Sequence, residues 1–408
     1  MTATVWKERI KRWTADHAAE VERMFTELHE LAEIGWQEHR TTAYICSRLT
    51  AIGLDTRTFA DHTGMIGAWC GSGSNPDAHP IGKPEQIKPN DGSAPGRTVA
   101  LRADMDALWQ SVNGQWRANH SCGHDAHMTM VFSAIRCLKE IGFRIPAGEL
   151  LAVFQPAEET AEGAKTLLRS GMLDTVDCMV GIHLRPQKEL SLGRASSAIY
   201  HGGVAHVRGR IKGRQAHAAR PEDGINAIET LAAIVTAVKA IRNDPANGGS
   251  CKVTTVRVPN ESVNVIPDDA AFTVDIRAST HEELVRLAER VRQAAAEAGA
   301  ASGAEVETDW AILAAPAIPN ADMERIVGLA IVEMLGEEGL AGPVVTPGAE
   351  DFHFYPMERR SLKATMIGLG SGLTPGLHHP DMTFDHTALR TGTAILAMTV
   401  IQLFEEEW

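Results

Sequence analysis

Residues 98–106, TVALRADMD, decide the fold, because an apolar run of strand-like composition ends there at a pair of aspartates. The same arrangement recurs twice further along the chain, and a helical pattern separates each apolar run from the next. Alternating strands and helices of this kind predict an α/β domain with a mostly parallel sheet. The later strands are predicted over 149–155 and 178–183, and the helices between them over 126–141 and 163–170.

Polar side chains follow each of these three predicted strands. Asp104 and Asp106 follow the first strand, Glu158 and Glu159 follow the second, and His183 ends the third. In open α/β sheets, ligands bind beyond the carboxyl ends of the strands. The sequence therefore predicts a ligand site at this edge of the sheet.

The pattern changes over residues 197–310, where the predicted order of elements is β-α-β-β-α-β. This order is typical of a small ferredoxin-like α+β domain. The α/β pattern then resumes with a helix over 321–335, an apolar strand over 363–369 and a closing helix over 387–405. We therefore expect one catalytic metal-binding domain, made of 1–196 and 311–408, interrupted by an inserted domain over 197–310.

Composition narrows the classes of function. The 408 residues carry a formal net charge of −13, which disfavours a nucleic-acid or anionic-membrane partner because either would require a basic surface. No apolar run approaches the roughly 20 residues that a membrane span needs. The 6 cysteines form no CxxC pair, so a reducing cytoplasm is expected. The proline-rich stretch Gly71–Arg97 is predicted to be an irregular loop of unknown role.

Residues 119–127, NHSCGHDAH, place one thiol and three imidazoles close together. Cys122 and His124, separated by one glycine, can both face one ion, and thiolate with neutral imidazole suits zinc or another first-row divalent metal. Asp125 can orient a ligand or cap the helix that follows. A lone histidine is more often structural, but this density favours a metal site.

The nearby cysteine–histidine cluster changes the interpretation of Glu158 and Glu159. Adjacent carboxylates at a strand end are in themselves most simply a solvated face or helix N-terminal charges. Metal-assisted hydrolysis, however, needs one carboxylate to hold an ion and another to accept a proton from water. Together with His183 and the pair His378-His379, these residues would complete two adjacent metal sites.

Several motifs occur in one order along the chain, and their combination resembles the co-catalytic metallopeptidase family. That family contains N-acyl-amino-acid deacylases, hippurate hydrolases, auxin-conjugate hydrolases and aminobenzoyl-glutamate hydrolases. The matching segments run from about residue 20 to the C-terminus. The motifs lie at 101–108, 120–127, 154–159, 213–221, 264–267, 349–352 and 377–380.

The resemblance implies two divalent metal ions and a set of site residues. Zinc or manganese is expected first, and cobalt or nickel would also fit. Glu158 would be the general base, and His217, in the inserted domain, would stabilise the developing oxyanion, often across a dimer interface. Asn264 and Arg277 match substrate-binding positions. The implied metal ligands are Cys122, His124, Glu159, His183 and His378, with His379 as the alternative to His378.

The chain departs from the family pattern after Leu108. The family commonly continues with a proline and a glutamate, whereas residues 109–112 here read WQSV, and the run to Cys122 is shortened. Trp109 and Trp116 are either core residues or part of a pocket reshaped for an aromatic substrate.

We therefore predict a metal-dependent hydrolase that cleaves the amide bond of an N-acyl or N-aroyl amino acid or a related small amide. One alternative keeps the site but removes an amino group from an activated aromatic ring. A non-catalytic metal- or ligand-binding relative would have no need of Glu158. A thiol redox protein built on Cys122 lacks a resolving cysteine nearby. A homodimer formed through the inserted domain, which would also close over the site as a lid, is expected.

Overall fold

A computed structural model describes residues 3–71, 96–242 and 248–405. The chain divides into two compact units. The first unit comprises Met1–Ile199, Ile318–Val345 and Phe354–Trp408, and the second comprises Tyr200–Ala317 and Thr346–His353. Most of the loop predicted over Gly71–Arg97 lies outside the described residues.

The α-helices of the described chain are α1 (Ala3–Asp16), α2 (Ala18–Glu30), α3 (His39–Ala51), α4 (His124–Glu140), α5 (Gly163–Arg169), α6 (Ala227–Ala240), α7 (His281–Ser302), α8 (Ala321–Leu335), α9 (Phe354–Glu358) and α10 (Thr387–Glu405).

The strands up to the second unit are β1 (Asp55–Thr58), β2 (Met65–Cys70), β3 (Arg97–Asp104), β4 (Leu108–Val112), β5 (Gln115–Asn119), β6 (Gly148–Gln155), β7 (Cys178–Pro186) and β8 (Ala195–Ser196). The later strands are β9 (Ile199–His201), β10 (Gly203–Lys212), β11 (Ala216–His217), β12 (Ser250–Arg257), β13 (Val265–Ile266), β14 (Asp269–Ala278), β15 (Glu305–Ala314), β16 (Leu340–Ala341), β17 (Val344–Thr346) and β18 (Lys363–Leu373).

The first unit is built on an eight-stranded sheet with the strand order β1-β2-β6-β3-β7-β18-β8-β16. Its central strands β6, β3, β7 and β18 are parallel to one another, and β1 and β2 are antiparallel at one edge. The predicted α/β class with a mostly parallel sheet is thus confirmed. Parallel pairing brings the carboxyl ends of β3, β6 and β7 to the same edge, where the polar motifs follow them.

Apolar helices cover this sheet. Helix α4 is buried along most of its length, and it packs against α10. Helix α10 is long and apolar enough to cross a membrane by length and composition alone, but 72% of that stretch is buried inside the protein. It therefore serves as a core helix here, and burial on every side explains its lack of a polar face.

The second unit contains a four-stranded antiparallel sheet with the order β12-β14-β10-β15. Along the chain its main elements follow the order β10, α6, β12, β14, α7, β15, which is the β-α-β-β-α-β sequence predicted above. Burial alternates strictly along β14, because every second side chain is buried under α6 and α7.

Two features differ from the sequence-based expectation. The second unit takes in Thr346–His353, which we expected within 311–408, and it extends to Ala317 because β15 runs beyond residue 310. A hairpin, β4–β5, was not predicted. Its signal was present, since Asn113-Gly114 have φ of 52° and 79° and both residue types favour the positive φ that a two-residue turn requires.

Candidate metal centre

The turn before α4 positions the first two candidate ligands. Cys122 is followed by Gly123, which adopts a left-handed conformation with φ of 88°, and His124 begins the helix. A Cβ atom on Gly123 would lie 3.0 Å from Leu184 Cδ1, so both space and backbone conformation favour glycine. The turn aims Cys122 and His124 at the carboxyl ends of the strands.

Two groups of potential ligands meet at Cys122. Cys122, His124 and His183 form the first group and are all buried; Cys122, Glu159 and His378 form the second. Within each group the ligand atoms lie within 4.8 Å of one another. Cys122 Sγ is 3.6 Å from His183 Nε2 and 3.2 Å from His378 Nε2. The fold thus brings together all five side chains that the resemblance implied as ligands.

The donor atoms suit cations. Both ring nitrogens of His124 and Oε1 of Glu159 are buried without a hydrogen-bond partner among the described residues. The nearest carboxylate oxygens to the His124 ring lie at 3.4–3.9 Å, on Asp104, Asp106 and Glu159. Buried polar atoms are rarely left unpaired, so this concentration of orphaned donors and acceptors fits a bound metal. A thiolate, imidazoles and a carboxylate are the ligands that first-row divalent ions take.

His183 is held in the form that binds metal. Burial lowers the pKa of its imidazole well below the ordinary value, and the nearby His127 and Arg185 lower that pKa further. The Nδ1 atom lies 2.7 Å from the carbonyl oxygen of Leu184, to which it donates. The lone pair is therefore on Nε2, the nitrogen that faces Cys122.

His378 lies where negative charge accumulates. Its Nε2 is 3.2 Å from Cys122 Sγ and 3.3 Å from Glu159 Oε1, and the proximity of Cys122 and Glu159 raises the pKa of the imidazole to about 10. The neighbouring His379 is exposed, and its Nδ1 accepts the backbone N–H of Asp381. Of this histidine pair, His378 is therefore the one that faces the candidate ligands.

His127 lies close by but has another role. Its Nδ1 donates to Asp104 Oδ1 at 2.7 Å, and its Nε2 accepts the backbone N–H of Leu184 at 3.0 Å. Both ring nitrogens are thus occupied by protein partners. Asp104 is also paired with Arg102, and although burial opposes ionisation, the surrounding His124, His127 and Arg102 hold the pKa of this carboxyl well below its ordinary value.

The Glu158-Glu159 turn is braced by two carboxylates that the sequence analysis did not assign. Asp106 Oδ1 and Oδ2 accept the backbone N–H groups of Glu158 and Glu159, each at 3.0 Å. Glu38 Oε1 accepts the N–H of Ala157 at 2.9 Å. Ala157 has φ of 53°, a conformation that is unusual for a residue with a Cβ atom and often found near functional sites.

The sequence feature that could have identified Asp106 as a site residue was its position just after β3. Glu38 carried no such signal, because it lies in a different part of the chain, at the start of α3. Its carboxyl is fully buried and receives a hydrogen bond from Thr63 Oγ1. Burial raises the pKa of Glu38 to about 7, against the opposing effect of the Thr63 hydrogen bond.

The other predicted site residues lie in the second unit. His217 is exposed on β11, and its Nδ1 accepts the N–H of Ala219 at 3.0 Å, so the ring proton is on Nε2 in the neutral form. The carbonyl of Asn264 accepts the N–H of Ala218. Arg277 is bound through two nitrogens to the Asp275 carboxylate, at 2.8 and 3.1 Å.

A metal-ligand cluster next to paired carboxylates, at the carboxyl edge of a parallel sheet, defines a metal-dependent hydrolase. The sequence model of Peptidase family M20/M25/M40 matches residues 100–402. The chain belongs to this family, which confirms the resemblance drawn from its motifs.

Individual proteins are also similar to this chain over most of its length. The chain is 27% identical to IAA-amino acid hydrolase ILR1-like 2 of Arabidopsis thaliana, over 93% of this chain and 84% of that protein. It is 26% identical to N-acetyl-L-cysteine deacetylase of Bacillus subtilis, over 89% of this chain and 83% of that protein. Its fold is similar to that of a dinuclear metal-binding M20 peptidase from Bacillus subtilis, with a TM-score of 0.78, 24% identity, and 97% and 99% of the two chains covered.

Proposed function

We propose that this protein hydrolyses the amide bond of an N-acyl or N-aroyl amino acid with the help of two divalent metal ions. The observation that carries the proposal is the pair of ligand groups that share Cys122 next to Glu158. His124 and His183 would hold one ion and Glu159 and His378 the other, with Cys122 between them. Zinc and manganese both suit this ligand set, and cobalt or nickel would also fit.

When bound, two such ions polarise the scissile carbonyl and make the attacking water more acidic. Glu158 would accept the proton of that water and deliver it to the leaving amine nitrogen. Two features support this role. The Glu158 side chain is mostly buried, and Asp106 holds its backbone, so the carboxylate is kept in place rather than free to rotate in solvent.

His217 is proposed as the group that stabilises the developing oxyanion. With its Nδ1 accepting a backbone N–H, the neutral ring carries a donor N–H at Nε2, which is the group such a role requires. Asn264 and Arg277 are proposed to bind substrate. Arg277 would exchange its Asp275 partner for a substrate carboxylate, since both present two oxygens to the guanidinium.

The substrate class is supported by the relatives. One is named for hydrolysis of an indole-acetyl amino acid conjugate and the other for deacetylation of N-acetyl-L-cysteine, so both names describe an acyl group joined to an amino acid. The aminohydrolase alternative uses the same residues and differs in the bond that is broken.

The proposal includes a homodimer formed through the second unit, which would also serve as a lid, and a cytoplasmic location. The location is proposed from the sequence, in which the 6 cysteines form no CxxC pair.

The test is a hydrolysis screen on protein reconstituted with Zn²⁺ or Mn²⁺. The substrates are N-acetyl, N-benzoyl and indole-3-acetyl amino acids, with an aminobenzoate to detect ring deamination. Glu158→Gln is expected to lower kcat by about 10²–10⁴-fold while both ions remain bound. The exposed neighbour Glu162, changed to Gln, is the matched control. Full turnover by Glu158→Gln, or release of ammonia from the aminobenzoate alone, would refute the proposal.

A further inference from the structure

The hairpin β4–β5 connects the two ligand-bearing loops through one side chain. Gln110 Nε2 donates to the backbone carbonyl of His378 at 2.8 Å. Gln110 Oε1 accepts from Ser121 Oγ at 2.8 Å and from Asn119 Nδ2 at 3.1 Å. One amide therefore contacts both the loop that carries His378 and the loop that carries Cys122.

Two further hydrogen bonds join the same loops. The backbone N–H of His378 donates to the carbonyl of Ser121 at 2.8 Å, and Asn119 Nδ2 also reaches the carbonyl of Pro380 at 3.1 Å. The backbone N–H and carbonyl of His378 are thus both held by residues of the hairpin or of the turn that follows it.

This restraint matters because His378 has an unusual backbone. Its φ of 63° lies in the left-handed region, which a residue with a Cβ atom adopts only when its surroundings hold it there. His378 is also the most exposed of the five candidate ligands, with 52% of its side chain accessible, so packing alone restrains it little. The hydrogen bonds to its backbone therefore restrain it in addition to the contacts of its ring with Cys122 and Glu159.

The hairpin has two different faces. Successive side chains on a strand point to opposite sides, and Gln110 pairs with Arg117 whereas Trp109 pairs with Ala118. Trp109 and Trp116, which are 57% and 65% exposed, lie on the outer face, so they are not core residues. Gln110 lies on the inner face, within the segment 109–112 where this chain departs from the pattern of the family it resembles.

We propose that Gln110 is a positioning residue that holds His378 in the geometry needed to bind metal. This inference rests on the proposed function, because it takes His378 as a ligand. The amide is suited to the position chemically: its N–H₂ meets a carbonyl and its oxygen meets two donors. A carboxylate at residue 110 would place an oxygen against the carbonyl of His378 and repel it.

The test is calorimetric titration of metal-free protein with Mn²⁺. Wild type is expected to bind two ions. Gln110→Ala is expected to bind one ion as wild type does and the other about 10–100-fold more weakly. Gln110→Glu is expected to show at least the same weakening. His378 is proposed to hold only one of the two ions, so the loss should be confined to that ion, which a general loss of stability would not produce.

Kinetics give a second readout. At limiting Mn²⁺ the kcat of Gln110→Ala should fall with occupancy, and saturating Mn²⁺ should restore it with KM unchanged. Gln115→Ala, an exposed glutamine on the same hairpin, is the matched control and should behave as wild type.

His378→Ala separates the two ways of failing. If wild type binds two ions, His378→Ala loses one and Gln110→Ala keeps both at wild-type affinity, the inference about Gln110 is overturned and the proposed function stands. If wild type does not bind two ions, or His378→Ala keeps both, the ligand assignment itself is wrong and the inference fails with it.

Discussion

His127 donates a hydrogen bond from Nδ1 to Asp104 Oδ1 at 2.7 Å while its Nε2 accepts the N–H of Leu184. The imidazole thereby joins the end of β3 to β7 at the residue after His183. Both ring nitrogens are used in this connection, so the third histidine of the 119–127 motif positions a ligand strand and is not available as a ligand itself.

The loss of this connection should reduce stability. His127→Leu keeps the volume of the side chain but leaves the buried N–H of Leu184 unpaired and removes one partner from Asp104. We expect the free energy of unfolding in urea to fall by about 2–4 kcal/mol. His39→Leu, at an exposed position, is the control and should change it little. Equal unfolding curves for wild type and His127→Leu would show that the two hydrogen bonds contribute nothing.

Because the pKa of Glu38 is raised, we expect the difference in stability between wild type and Glu38→Gln to depend on pH. Its pKa is raised from 4.5 to about 7 in the folded protein, so the folded state binds this proton more tightly than the unfolded state. The stabilisation is full below pH 4.5 and is lost as the pH rises to about 7. Glu38→Gln keeps the acceptor for Ala157 and never ionises.

The variant should therefore gain stability relative to wild type by about 3 kcal/mol between pH 4.5 and pH 8. Thermal unfolding of both proteins at a series of pH values measures the difference. Glu30→Gln, at an exposed position, should show no such trend. A constant difference between Glu38→Gln and wild type across this range would contradict the raised pKa.

We expect substitution of Asp106 to reduce turnover. Asp106→Ala removes the acceptor of both the Glu158 and the Glu159 N–H, and the turn that carries the proposed base should shift. A displacement of about 1 Å can cost about 10²-fold, so kcat should fall by that order in metal-loaded protein. Asp106→Asn, which keeps one acceptor, should lose less. Asp61→Asn, at a side chain 86% exposed, is the control. Wild-type kcat in Asp106→Ala would exclude this role.

Metal removal should lower thermal stability. The ring nitrogens of His124 and Oε1 of Glu159 are buried and have no hydrogen-bond partner in the part of the chain that the structure describes, so without a cation they remain unsatisfied. Chelation is expected to lower Tm, and Mn²⁺ should restore it in a concentration-dependent way. At a concentration of 100 times Kd, a bound ion raises the free energy of unfolding by about 2.7 kcal/mol. Cys122→Ala, which removes the ligand common to both groups, should show a much smaller effect. The same Tm with and without chelator would contradict a metal centre here.

Local patterns in the sequence were sufficient to predict the strands and helices of the α/β domain and the residue types that could bind metal. Alternating apolar runs and helical periods predicted β3, β6 and β7, and helices over 321–335 and 387–405 were predicted with the bounds that the structure has. The thiol and imidazoles of 119–127 indicated metal because that chemistry is carried by residue type and short spacing. Periodicity and short spacing are properties of residues that are close together along the chain, and the alternation of buried and exposed positions makes them readable from the sequence.

Tertiary structure alone decided which groups act on which. Within the motif 119–127, both ring nitrogens of His127 are hydrogen-bonded to protein groups, whereas those of His124 have no hydrogen-bond partner among the described residues. The difference is set by Asp104 and Leu184, and the spacing of the histidines does not show it. Glu38 meets Ala157 across more than 100 residues, and Gln110 meets His378 across more than 260. Such partners are chosen by how strands and loops pack in space, because a hydrogen bond depends on distance and direction and not on separation along the chain.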